Sequence, residues 1–574
     1  MIFAATALGV GIIPAEKSEL LAREADGQQV IASGKSATGN RCMVATVHPL
    51  ATDAGVDAFR AGGNAIDAAI AAAFTLGVVD NHNSGLGGGC FILLRLADGE
   101  IVAIDGREKA PAAAHRDMYL RDGRPDTSLS QTGPLAVGVP GALQAYQLAV
   151  EEYGQRSLAD LLLPAADIAE NGFPIDRVYA RKLSDKAQEL SRFEGSSSVL
   201  LKPDGTAFLE GETLKQHDLA NSYRQIAEHG VDWFYGGPFA KTVDKWMAEH
   251  GGILTAADFA GYEARRRTPI ESQYQGYTVV GFPPPSSGGV HVAQILNMLD
   301  QFELSSLHEK NPASVVHVMA EAMKLAFADR AYWLGDADFV KVPLGLIDRT
   351  YTDKLAARIQ LGETIKVPGH GFPPHWQTNV FEKHTTHIAA ADAEGNWVAI
   401  TATVNTAFGS KVIVPGTGIV LNNEMDDFSI HPGTPNAFGL VGAENNAIAP
   451  GKRPLSSMSP TIVLDSRRQP VLTVGAAGGP RIITQVVSTI VNHLELGMTL
   501  AESVSAPRFH HQWLPDHIRV ESTVPPAILK QLRMWGHELK IVKYAGITQA
   551  IARDKNGSLI GVNDPRAPGK ASGY

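Results

Sequence analysis

The sequence predicts a mixed α and β protein, on three observations. Helix-like and strand-like apolar periods alternate along the chain, the middle third is mostly helical, and the last third is rich in strands. Length and composition fit several domains or one large, well-buried layered body. The chain has 574 residues, 44% apolar and 19% charged, with 57 glycines to make tight turns. Fifty Lys and Arg against 60 Asp and Glu leave a net charge of −10. That balance argues against a sequence-independent grip on nucleic acid, which needs clustered cations to displace phosphate counterions. Cys42 and Cys90 form at most one disulfide, so no cysteine framework holds the fold.

Residues 1–15, MIFAATALGVGIIPA, are apolar and uncharged. The run has the length of a secretory h-region and is short of the ~20 residues of a membrane span. It lacks a basic n-region and a clean A-x-A site, so a frayed N-terminal helix of a cytosolic protein is the alternative. A leader-like segment over residues 1–40 and a periplasmic or secreted location are expected. No later run is long enough for an integral membrane span.

Residues 49–61 have helical spacing and stop at Gly62-Gly63, and Asn64 opens an Ala-rich helix to about Leu76. The loop NSGLGGG, residues 83–89, runs into the strand CFILLRL. AYQLAVEEY, LADLLLPAADIAENG and VVHVMAEAMKLAFADRAYWLG carry i, i+3, i+4 apolar periods. Between the last two, FPPPSSGGVH is a Pro/Gly turn that opens a helix. From Thr385, TTHIAAADAEGNWVAITATVN reads as two alternating strands joined by a DAEGN turn. Strands follow at GIVLNN, PTIVLD and PVLTVGAAGG, then a helix from about Ile482 to Leu496 and a polar tail of shorter elements. The composition shift near residue 380 marks the best boundary.

Common catalytic patterns are absent: there is no G-x-S-x-G, H-E-x-x-H or Walker A motif. The glycine run 85–89 precedes a strand and has no following Lys-Ser/Thr, which favours a tight turn or pocket lining over a phosphate loop. His384, His387, His510 and His511 have no third ligand at metal-site spacing, so solvated or hydrogen-bonded histidines are expected and no metal or cofactor is implied. The pair Thr385-Thr386 opens a strand directly after the charged segment FEKH. Two ordinary strand threonines are one reading. The other is a self-cleaved N-terminal nucleophile. Cutting after His384 by an N→O acyl shift frees the Thr385 α-amine, whose pKa near 8 suits it as base for its own hydroxyl.

HPLATDAGVDAFRAGGNAIDAAIAA, SGLGGG, AIDGREKAP, FPPPSSGGVH, FADRAYWLGD, TTH, TVNTAFGS, GIVLNNEMDDFS, KRPLSSMSPTIV, GAAGGPRI and APRFHHQWLPD together resemble the γ-glutamyltransferase family of N-terminal-nucleophile hydrolases, from about residue 40 onward. The resemblance implies a four-layer αββα sandwich and a precursor cut between His384 and Thr385. The products are a large subunit, 41–384, and a small one, 385–574. It further implies Thr385 as nucleophile, Thr403 as its hydroxyl partner, and Gly478 and Gly479 as the oxyanion pair. Arg107, with Ser456 and Ser457, is expected on the substrate α-carboxylate, and Asn405, Glu424 and Asp427 on its α-ammonium. The implied reaction transfers a γ-glutamyl group from glutathione or related amides to water, an amino acid or a dipeptide, without a cofactor. Alternatives are a glutaryl or cephalosporin-type acylase of the same superfamily and a non-catalytic exported γ-glutamyl-binding protein. Phe438 replaces a lid tyrosine of some bacterial relatives, and Cys90 follows a glycine run where another small residue is expected.

Overall fold

Apolar residues on both faces of successive strands call for a covering layer on each side, and the computed structural model has this arrangement. It describes residues 35–374, 386–431 and 433–574. The strands that make the two large sheets are β1 (Ser36–Gly39), β2 (Cys42–Thr46), β3 (Gly89–Arg95), β4 (Ile101–Gly106), β5 (Arg265–Arg267), β6 (Ile270–Tyr274) and β7 (Tyr277–Gly281). They continue with β8 (Thr386–Asp392), β9 (Trp397–Thr403), β10 (Thr461–Leu464), β11 (Pro470–Ala477), β12 (Ile547–Arg553), β13 (Leu559–Asn563) and β14 (Lys570–Gly573). One seven-stranded sheet has the order β14-β2-β8-β9-β3-β4-β5 and the other β1-β13-β12-β11-β10-β7-β6. Every pairing within them is antiparallel.

The period of two sorts side chains into layers. From β8 and β9, Ile388, Ala390, Val398, Ile400 and Ala402 join a core with the helices α1 (Pro49–Arg60), α2 (Ala65–Val79), α3 (Ala142–Tyr153) and α4 (Leu158–Asn171). Their alternates Ala389, Ala391, Trp397 and Ala399 meet Ile462, Leu464 and Ile551 of the other sheet. On its far face that sheet turns Val463, Leu472, Val474 and Ala550 to α5 (Gly288–Leu299), α6 (Pro312–Trp333) and α7 (Arg481–Ile490). The result is the four-layer αββα sandwich. Alanines at the mid-plane let the two sheets approach closely.

The capping residues are as the sequence implies. The Asn64 side chain accepts from the Ile66 and Asp67 amides, and Asp67 returns a bond to the Asn64 amide at 2.8 Å. Asp392, at the end of β8, accepts from the Ala65 amide at 3.0 Å, so the start of α2 is docked on the end of the central hairpin.

Several expectations change. The helix from Asn64 runs to Val79 rather than Leu76. GIVLNN is not a strand. It makes one isolated bridge, Ile413 to Val420, because its Asn422 amide binds the Gly87 and Gly138 carbonyls and bends the chain into a packed loop. The helical middle third holds the strands β5 to β7, and the tail supplies β12 to β14. Both sheets draw strands from each side of residue 380, so the composition shift there separates a helix-rich share from a strand-rich share of one fold. Ser36–Gly39, inside the expected leader-like segment, is a strand paired with β13, while residues 1–34 lie outside the described residues. Among the described residues no helix is long and apolar enough to cross a membrane.

Candidate active site

The central hairpin pairs Thr386 with Ala402 and places Thr403 at the next step, opposite Gly89 of β3. His384 and Thr385, the expected cleavage pair, lie outside the described residues. Thr403 is buried, and its Oγ1 accepts from the Asn405 amide at 2.6 Å. That bond closes a turn in which Asn405 takes φ 76°, a left-handed conformation that Asn tolerates better than most residues. A Cβ at Gly88 would overlap the Thr403 carbonyl, so the glycine run 85–89 serves as a close-packed floor.

The turn fixes the side chain of Asn405. Its Nδ2 donates to the Asn423 carbonyl at 3.0 Å, next to Glu424. The 3₁₀ turn Glu424–Asp427 then brings two carboxyls to Arg107, which follows β4. Arg107 Nη1 bonds Glu424 Oε1, Nη2 donates to Asp427 Oδ2 at 2.8 Å, and Nε donates to the Pro454 carbonyl at 3.3 Å. Glu108 Oε2 lies 3.4 Å from Nη1. All these side chains are buried. Burial pushes the Glu108 carboxyl up to about 7 against the pull of Arg107. Burial also holds Glu424 well above the carboxylate range, with Arg107 opposing and Glu108 and Asp427 reinforcing. One guanidinium thus faces three carboxyls in a water-poor site, where protonation relieves the excess negative charge.

Ser456 and Ser457 follow Pro454 on the same stretch. Their hydroxyls, Glu424 Oε2 and Asn405 Oδ1 are buried without a hydrogen-bond partner among the described residues. Polar atoms left unpaired in a native interior cost roughly 1–3 kcal/mol each, so several of them on the stretches that hold Arg107 point to a polar ligand that completes them. The FPPPSSGGVH turn supports this stretch from below. Ser287 Oγ donates to the Ser456 carbonyl at 2.5 Å and Ser286 Oγ to the Met458 carbonyl at 2.7 Å. Behind Arg107, the buried Arg453 Nη1 donates to Asp105 Oδ1 at 2.7 Å and to the Arg107 carbonyl at 2.9 Å.

Gly478 and Gly479 form the turn between β11 and α7, with φ 138° and 63°. Arg481 Nε holds the Gly478 carbonyl at 2.8 Å. Phe438 covers Gly479 so closely that a Cβ there would come within 2.7 Å of its ring. Two residues away, Asn436 Nδ2 donates to Asp427 Oδ1 at 3.2 Å. The loop 435–439 therefore ties the Arg107 cluster to the glycine turn.

Three groups were not singled out from sequence. Glu108 adjoins Arg107 in AIDGREKAP, and that adjacency was the one available signal. Ser287 acts through its contact with Ser456, 169 positions away. Asp80, which caps α2, accepts from Thr386 Oγ1 at 3.1 Å and from Asn83 Nδ2 at 2.9 Å. Burial lifts its carboxyl to about 7 while nearby Lys182 opposes the shift. Of the histidines expected to be solvated or hydrogen-bonded, His387 bonds Thr401 Oγ1 (3.1 Å), His510 bonds Thr484 Oγ1 (3.1 Å) and His511 bonds Asp516 Oδ1 (3.1 Å), all three buried, and His384 lies outside the described residues. Cys90 is buried beside Tyr146 and Glu108.

The layered architecture is that of the N-terminal-nucleophile hydrolases. The cephalosporin acylase structure from Bacillus halodurans superposes with a TM-score of 0.84 at 29% identity, covering 95% of this chain and 98% of its own. The Helicobacter pylori gamma-glutamyltranspeptidase structure gives 0.54 at 39% identity, over 55% of this chain and 91% of its own. The glutathione hydrolase proenzyme of Escherichia coli (strain K12) is 43% identical over 527 residues, 92% of this chain and 90% of the relative. The Acylase ACY 1 proenzyme of Pseudomonas sp. (strain SE83) is 38% identical over 93% and 94%. The family model described as Gamma-glutamyltranspeptidase matches residues 51–574, and the chain belongs to that family.

Proposed function

We propose that the chain is a self-processing γ-glutamyltransferase and glutathione hydrolase. The observation that carries this reading is the buried Arg107 cluster: one guanidinium, Glu424 and Asp427 bonded to it, and unpartnered atoms of Ser456, Ser457, Glu424 and Asn405 on the adjoining stretches. A γ-glutamyl group ends in an α-carboxylate and an α-ammonium. The carboxylate takes the serine hydroxyls and shares the Arg107 guanidinium with Glu424 and Asp427, which already bond its Nη1 and Nη2, and the ammonium takes Glu424, Asp427 and Asn405. Thr385, freed by a cut after His384, attacks the γ-carbonyl with its own α-amine as base, and Thr403 orients its hydroxyl. The Gly478 and Gly479 amides receive the oxyanion. The amine leaves, and water, an amino acid or a dipeptide takes the γ-glutamyl group from the ester. The large and small subunits arise from one precursor, exported on its apolar leader.

Gly479→Ala is expected to lower kcat about 100-fold, the typical loss when one oxyanion donor is displaced. Its Cβ would press on Phe438, 2.7 Å away. Steady-state hydrolysis of γ-glutamyl-4-nitroanilide checks this, and an unchanged kcat removes the turn from the mechanism.

The acylase reading rests on the acylase names among the relatives. Glutaryl amides lack the ammonium, so they leave the acidic side of the pocket unused. This gives a pH test. An ammonium is bound by ionised carboxyls, so its binding expels protons from Glu108, which burial lifts to about 7, and from Glu424, which burial also holds above the carboxylate range. The ratio of kcat/KM for γ-glutamyl over glutaryl anilide should rise as pH increases through about 7, since the titration of the nucleophile cancels in the ratio. A ratio below one, or flat between pH 6 and 8, favours the acylase. A purified chain that stays uncut and turns over neither substrate favours the binding protein.

A further inference from the structure

Beyond the glycine turn lies a cavity of about 400 Å³ that the γ-glutamyl site does not use. It is lined by the loop 435–439, by Pro480 and Arg481 at the start of α7, and by Gln512 and Arg519. Pro480 directly follows the proposed oxyanion pair, and Phe438 forms part of both walls. Asn436 reaches Asp427 from this same loop, so the zwitterion cluster and the cavity meet the glycine turn from different directions.

The lining has a definite charge: two guanidiniums and no Asp or Glu. Arg519 sits on the strand Ile518–Glu521, in register with Lys540 of its neighbour, which adds further positive charge. Its Nε is buried and has no hydrogen-bond partner among the described residues. Arg481 is held by its Nε on the Gly478 carbonyl. Like charges brought together in a half-buried wall are costly unless an anion arrives. Gln512 Nε2 donates to the Gly439 carbonyl at 3.2 Å and fixes the loop that closes the cavity.

We infer that this cavity is the amine-side subsite, in which Arg519, with Arg481, recognises a carboxylate on the leaving amine or on the incoming acceptor. The inference rests on the γ-glutamyl-transfer reading above. It selects peptide-like amines that end in a carboxylate over neutral ones, and it assigns Arg519 to specificity, while Arg481 also holds the catalytic turn.

The test compares γ-glutamyl-4-nitroanilide with γ-glutamyl-3-carboxy-4-nitroanilide, which differ by one carboxylate on the leaving amine. Arg519→Gln should raise KM about tenfold for the carboxylated anilide, the loss expected of one charge-assisted hydrogen bond. Turnover of the neutral anilide should stay within twofold, and Arg519→Lys should recover most of the difference. Equal effects on both anilides, or none on either, overturn the assignment. A second measurement needs only the wild-type protein. The product 5-amino-2-nitrobenzoate should inhibit hydrolysis of the neutral anilide more strongly than 4-nitroaniline does, and the gap should shrink in high salt. Equal inhibition overturns the inference even where the variants do not fold. Wild-type protein that hydrolyses neither anilide refutes the transfer reading itself, and the subsite with it. Turnover of both without discrimination refutes the subsite alone.

Discussion

Thr385→Ala is expected to leave a chain uncut at residue 384, with no measurable turnover. In the proposed mechanism one residue supplies both nucleophile and base, and the same hydroxyl makes the cut that frees the base. Removing it therefore blocks two events in sequence. On a denaturing gel the wild type should give two bands, the smaller beginning Thr-Thr-His, and the variant one. Thr385→Ser should still be cut, more slowly, because it keeps the hydroxyl and loses the methyl that restricts its rotamers. An uncut wild-type preparation with full activity would remove the mechanism. A cut Thr385→Ala chain would show that another group performs the processing.

Arg107→Gln should damage both binding and stability. With the guanidinium gone, Glu108, Glu424 and Asp427 share a buried site with no cation among the contacts described. Breaking a buried ion pair by removing one partner typically costs about 3–5 kcal/mol. The substrate carboxylate also loses its fork, for which we expect KM to rise at least about 100-fold. The pH dependence has a definite sign. Glu108 titrates near 7 in the fold and near 4.5 when unfolded, so the fold holds the extra proton between those values and stability falls as pH rises through them. Without Arg107 the Glu108 and Glu424 carboxyls shift further up and that loss extends to higher pH. The deficit in Tm relative to wild type should therefore be larger at pH 8 than at pH 5.5, measured by thermal unfolding. A deficit that is equal at both would show that the carboxyls are already relieved in another way.

The central hairpin is legible in the sequence because two apolar, strand-forming runs of equal length flank the DAEGN turn. GIVLNN carries the same β-branched content but sits between glycines at positive φ, Gly416 and Gly418, and asparagines whose amides take backbone carbonyls. Composition alone cannot separate these cases. The hairpin of β6 and β7 turns on Gln275 and Gly276, both at positive φ, and Gln-Gly is a weaker signal than Asn-Gly or Asp-Gly. Its neighbour β5 is three arginines, a composition suited to a sheet edge but silent about period. At the site, Arg107 and Glu424 stand 317 positions apart, so their meeting is a property of the fold. Their proposed roles were accessible from sequence only through the family resemblance. Glu108 shares AIDGREKAP with Arg107, while Asp80 and Arg519 carry no motif at all. What singles them out is burial beside specific neighbours, which a linear reading does not contain.

The strand order has a last consequence. Residues 42–46 lie between 570–573 and 386–392, and 386–403 lies between 42–46 and 89–95. A break after residue 384 would therefore release no piece. The two polypeptides would stay woven through shared ladders on either side of the cut, and pulling them apart would amount to unfolding both.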